Sequence, residues 1–65
     1  MVASQMLIAM KQKYQAEIEM AKNNVNIFVT DPTGVAEHID YVITAEKKLE
    51  ALAHAEDKLE SLNRL

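Results

Sequence analysis

Between Val2 and Val29 the apolar positions Leu7, Met10, Tyr14, Ile18, Ala21, Val25 and Phe28 advance by steps of three and four, with no glycine or proline among them. That spacing traces one face of an α-helix; a half-buried strand would alternate at every second residue. Lys11, Gln12, Gln15, Glu19, Lys22 and Asn23 fill the opposite side. The second half repeats the pattern with Ile39, Val42, Ala45, Leu49, Leu52, Ala55, Leu59 and Leu62. It is rich in Ala, Glu, Lys and Leu, the strongest helix formers. Glu60 precedes Arg64 by four residues, the order that favours an ion pair near a helix C-terminus.

The only proline, Pro32, and the only glycine, Gly34, both fall between the two stripes, in the stretch FVTDPTGV. Asp31-Pro32-Thr33-Gly34 has the composition of a type I turn. Asp31 capping a helix that starts at Pro32 is a second reading, and Gly34 as cap with Glu37 three residues on is a third. All of them stop the first helix near Val29, and they leave the start of the second open within residues 32–38. The pattern therefore predicts an all-α fold, an antiparallel two-helix hairpin in one domain over residues 1–65. Its first helix covers about residues 2–29, its turn about 30–36 and its second helix about 37–64. Pairing the stripes about the turn sets Phe28 near Ile39, Val25 near Val42, Ala21 near Ala45, Ile18 near Leu49, Tyr14 near Leu52 and Met10 near Ala55.

One seam between two helices does not enclose a core. The chain also holds large apolar residues off or at the margin of that seam: Ile8, and the interface candidates Met6, Met10, Met20, Ile27, Val29, Tyr41 and Ile43. An apolar excess of this kind marks an interaction surface. The simplest way to cover it is a homo-oligomer, first of all a dimer of hairpins forming a four-helix bundle. A different protein seated on the same surface is the other occupant.

Composition narrows the function classes. The chain has 65 residues, 49% hydrophobic and 26% charged, which suits a small globular domain. It has no cysteine, which excludes disulfides, thiolate metal sites and a thiol nucleophile. Net charge is −3. Lys11, Lys13 and Lys22 cancel Glu17, Glu19 and Asp31 in residues 1–33, so residues 34–65 supply the whole imbalance. Nucleic-acid binding needs a basic face, and only the modest group Lys11, Gln12, Lys13 and Gln15 offers one. A small nucleic-acid-associated regulator is the alternative reading on that basis. The apolar run Met6–Met10 is too short for a signal core or a membrane span, so a soluble cytoplasmic protein with no membrane partner is expected.

Candidate chemistry is sparse. Glu50, His54 and Asp57 share one helical face at i, i+4 and i+7, a possible divalent-cation set. With Lys47 and Lys58 beside them, they read better as an exposed, salt-bridged face. His38, between Glu37 and Asp40 in the neighbouring sequence, reads as a helix-start residue. No catalytic, cofactor-binding or metal-ligating residue is assigned, and a non-enzymatic role is expected.

In length and layout the hairpin resembles the plasmid ROP type. Its segments MLIAMKQKY at Met6–Tyr14, DPTGVAEHIDYV at Asp31–Val42 and AEDKLESL at Ala55–Leu62 are similar to small uncharacterised helical proteins of T4-like marine phages. In those proteins a proline commonly follows the loop histidine, where this chain has Ile39. The resemblance implies a loop running to about His38 and supplies no activity or site residues.

Overall fold

The structure is a computed structural model that describes residues 2–32 and 38–65. Helix α1 spans Val2–Thr30 and helix α2 spans His38–Asn63. The two pack side by side as an antiparallel hairpin measuring 52 × 16 × 12 Å. Neither helix is long and apolar enough to cross a membrane. Asp31 and Pro32 follow α1 outside any helix; Thr33 and Gly34 of the turn read there, the capping choice between Gly34 and Glu37, and the side chains of His38 and Ile39 lie outside the described residues.

Local chemistry accounts for the helix ends. At the end of α1 the Thr30 hydroxyl donates to the Asn26 carbonyl at 2.7 Å, and the Asp31 amide donates to the Ile27 carbonyl at 3.0 Å. These bonds satisfy late groups of a helix whose β-branched and aromatic tail is a weak helix former. Asp40 places a carboxylate in the first turn of α2, where the helix dipole favours it. At the other end the Arg64 amide donates to Glu60 and Ser61, and the Leu65 amide to Leu62, so the last turn tightens.

On α1 the seam is the expected one from Tyr14 onward, whereas Leu7 and Met10 of the expected stripe are left exposed. Tyr14, Ile18, Ala21, Val25 and Phe28 are half-buried, with Glu17 beside them. On α2 the seam differs from the expected stripe. It runs through Tyr41, Ala45, Lys48, Leu52, Ala55, Leu59 and Leu62, alternating four and three residues. Val42 and Leu49 are left 49% and 55% exposed. The reason lies in the repeat lengths. From Leu7 to Phe28 the stripe covers 21 residues in six steps, a repeat of 3.5, whereas Ile39 to Leu62 covers 23 in seven, about 3.3. A seam between packed helices needs 3.5, so the second stripe slants round its helix by roughly 150° over its length. One partner helix cannot follow it, and Val42 and Leu49 drift onto the flank.

The register also differs. Lys58 meets Glu17 and Tyr14, and Lys48 lies over Phe28 with Nζ 5.5 Å from the ring centroid. Ala21 shares its stretch of the interhelical groove with Ala51 and Ala55, not with Ala45. Relative to the turn-centred pairing, α2 has slid by about one heptad. A slide of seven residues keeps every apolar position on its own face, so the apolar pattern scores the two registers alike. The charges separate them: here Glu17 and Lys58 pair, whereas the expected register sets both against apolar positions.

Burial is shallow. Among the described residues Ala55, at 5% exposure, is the one buried hydrophobic residue. The chain exposes 5149 Å², where a compact monomer of 7.3 kDa would expose about 4,200 Å².

Candidate functional site

The hairpin offers two broad faces, one on each side of the seam. The first is an open groove of about 590 Å³ whose α1 wall is Glu17, Met20, Ala21 and Asn24. Its α2 wall is Thr44, Lys47, Lys48, Ala51, His54, Ala55 and Lys58. It continues into a second stretch of about 460 Å³ that shares His54 and Lys58 and adds Met10, Tyr14, Asp57, Ser61 and Leu62. Small residues at Ala21, Ala51 and Ala55 keep the floor deep, and long amphipathic side chains form the rim.

Lys58 is the hub of this groove. Its Nζ donates to Glu17 Oε2 at 2.7 Å and lies 4.9 Å from the centroid of the Tyr14 ring. Both side chains of the ion pair remain about one-third exposed, at 35% and 34%. The hydrogen bond from Lys58 holds the Glu17 carboxyl below its ordinary pKa; partial loss of hydration opposes it, and the charges of Lys58, Lys13 and His54 add smaller pulls in the same direction. A pair this wet stabilises weakly. Its consequence is geometric, because it names which residues of the two helices stand level.

The groove does not assemble catalytic machinery. The set Glu50, His54 and Asp57 does not converge, and among the described residues no group of three His, Asp or Glu side chains could hold a metal ion. The structure brings together a grouping that the sequence reading missed: His54, Asp57 and Ser61 line one stretch of groove. Their i, i+3, i+7 spacing on one helix would have revealed it. No hydrogen bond joins any two of them, and all three are exposed, so the oriented base and activated hydroxyl that nucleophilic catalysis requires are not in place.

The second face is aliphatic. Val29 and Val42 meet beside Phe28, Tyr41 and Ala45 near the turn. Ile18 and Leu59 meet beside Glu56 and Glu60 farther along. Leu7, Ile8 and Lys11 meet Leu62 and Asn63 at the far end. Helical spacing puts Val25 on this face seven residues beyond Ile18, and Leu49 seven residues before Glu56.

The interface candidates divide between these faces. Met10 and Met20 border the groove, and Met6 and Ile27 stand in the same row of α1 as Met20 at heptad spacing. Met20 and Ile27 are two-thirds exposed, at 66% and 67%. Ile43 is exposed on α2, and Val29 is exposed on the aliphatic face. Tyr41 is half-buried against the start of the seam. Of the exposed residues that the candidate list omitted, Leu7, Val42 and Leu49 are ones counted as seam in the expected stripes, and Ile8 and Leu65 are not. No protein-family model, curated protein or solved structure matches this chain.

Proposed function

We propose that this protein is a non-enzymatic helical scaffold or adaptor that works by associating with itself and presenting the resulting bundle to another protein. One observation carries the reading: among the described residues the lone hairpin buries a single hydrophobic residue, Ala55, while Met20, Ile27, Val29 and Leu49 stay more than half exposed. Apolar surface left in water on both faces favours association, because covering it returns roughly 25 cal/mol per Å². Two hairpins packed face to face make a four-helix bundle with an enclosed interior.

Light scattering over a range of concentrations tests this directly. The expected mass is twice the 7.3 kDa of one chain, with helicity and mass lost together on dilution or heating. A compact, cooperatively melting single chain at every concentration would overturn it. A role on nucleic acid has less behind it: of the three lysines lining the groove, Lys58 is engaged by Glu17 and Lys48 lies over Phe28. Helix α1 adds Lys13 only beside Glu17 in its sequence, a footprint too small for appreciable counterion release.

A further inference from the structure

We propose that the aliphatic face, not the groove, receives a second copy of this chain, and that the two-fold axis runs along the helices so that α1 of each copy lies against α2 of the other. This rests on the self-association reading and adds which surface and which arrangement. Three observations carry it.

The first is polarity. A bundle closed over the groove would bury Glu17, Asn24, Thr44 and Lys58 near its centre, and buried charges of this kind cost more than their pairing recovers. A bundle closed over the other face would centre on Ile18, Val25, Val29, Leu49 and Leu59 and leave Glu56, Glu60 and Arg64 at its margin. The second is area. The hairpin exposes about 1,000 Å² more than a compact chain of its mass, from 5149 Å² less about 4,200 Å². A standard interface removes about 800 Å² from each partner, so one such contact accounts for most of the excess.

The third is charge. The α1 flank of the aliphatic face carries Lys11 and Lys22, and the α2 flank carries Glu46, Glu56 and Glu60, the last already paired with Arg64 of its own helix. An axis along the helices leaves every residue at its own height and exchanges α1 for α2. Lys11, which stands level with Leu62 and Asn63, then stands opposite the Glu60–Arg64 pair of the second copy. Lys22 follows Ala21, which stands level with Ala51, and so falls between Glu46 and Glu56 of the second copy. Both contacts occur twice. An axis across the helices would set the lysine flank against itself and the glutamate flank against itself, which charge repulsion disfavours.

The test compares masses by light scattering at a concentration where the unaltered chain is dimeric. Leu49→Lys is expected to weaken association by at least about tenfold, and Met20→Lys, on the groove side, to leave the mass unchanged. Loss of the dimer with Met20→Lys, or its survival with Leu49→Lys, overturns the choice of face while leaving self-association standing. For the arrangement, Lys22→Glu is expected to weaken the dimer and the double variant Lys22→Glu with Glu56→Lys to restore it. Both positions are exposed, so the single hairpin tolerates the changes, and circular dichroism checks that it does. No rescue by the double variant overturns the along-helix axis. A single chain at all concentrations for the unaltered protein removes the reading on which both rest.

Discussion

Lys58 of α2 donates from Nζ to Glu17 Oε2 of α1 at 2.7 Å, across 41 residues of sequence. That contact places the two helices about a heptad away from the pairing that a turn-centred alignment suggests. Because a heptad slide keeps the apolar faces together along the shared length, it is the pair and the small residues at Ala21, Ala51 and Ala55 that mark the register. The chain has no cysteine of its own, which allows a clean crosslinking test. The pair Ala21→Cys with Ala55→Cys is expected to form an intrachain disulfide on mild oxidation, and Ala21→Cys with Ala45→Cys is not. The opposite result, read by mass spectrometry under denaturing conditions, would show that the helices take the turn-centred register.

What could be read from the sequence follows from repeat length. The α1 stripe keeps a 3.5-residue repeat from Leu7 to Phe28, so its seam face was legible, but its extent was not, since Leu7 and Met10 stay exposed. The α2 stripe does not, and the same rule applied to it named Val42 and Leu49 as seam residues that the structure leaves exposed. Tyr41 shows the converse: its neighbours in the slanted stripe hid its place at i−4 from Ala45 in the true heptad. Register was illegible from apolar residues because they are periodic. The polar ones carry a clue to it: Glu17 and Asn24 fall where a strict heptad from Met10 would place apolar residues, and Glu17 meets Lys58 across the seam.

Glu17 also gives the hairpin a defined response to acid. Its carboxyl has a folded pKa below the ordinary value, chiefly because Lys58 donates to it. A group depressed in this way stabilises the folded state fully above its unfolded pKa, about 4.3, and loses that contribution as pH falls through the folded value. The difference in melting temperature between the unaltered chain and Glu17→Gln is therefore expected to be constant above about pH 5 and to shrink toward pH 3. A gap of equal size at neutral and acid pH would mean that Glu17 acts by packing alone.

Ala55 is where the helices leave least room. At 5% exposure its methyl is packed against α1 at the floor of the groove, and Ala55→Leu is expected to destabilise by about 1–3 kcal/mol where the added carbons press on the facing helix. Ala16→Leu, on the exposed side of α1, adds the same carbons to a surface position and should stay within about 0.5 kcal/mol. Urea denaturation followed by circular dichroism measures both. Equal tolerance at the two sites would contradict close approach at Ala55.

Leu52 and Glu19 separate the inside of the hairpin from its outside. Leu52 is half-buried in the middle of the α2 seam, about level with Ala21 of α1, where an aspartate would have to lose part of its hydration. Leu52→Asp is expected to cost at least about 2 kcal/mol, as truncation of a core leucine does, with the desolvated carboxylate adding to it. Glu19 is exposed, and neither interhelical nor local ion pairing holds it, so Glu19→Ala should change stability by less than about 0.5 kcal/mol. Thermal melts of the two variants against the unaltered chain decide the matter: a large loss for Glu19→Ala, or an unshifted melt for Leu52→Asp, would place the wrong side of α1 or of α2 in the seam.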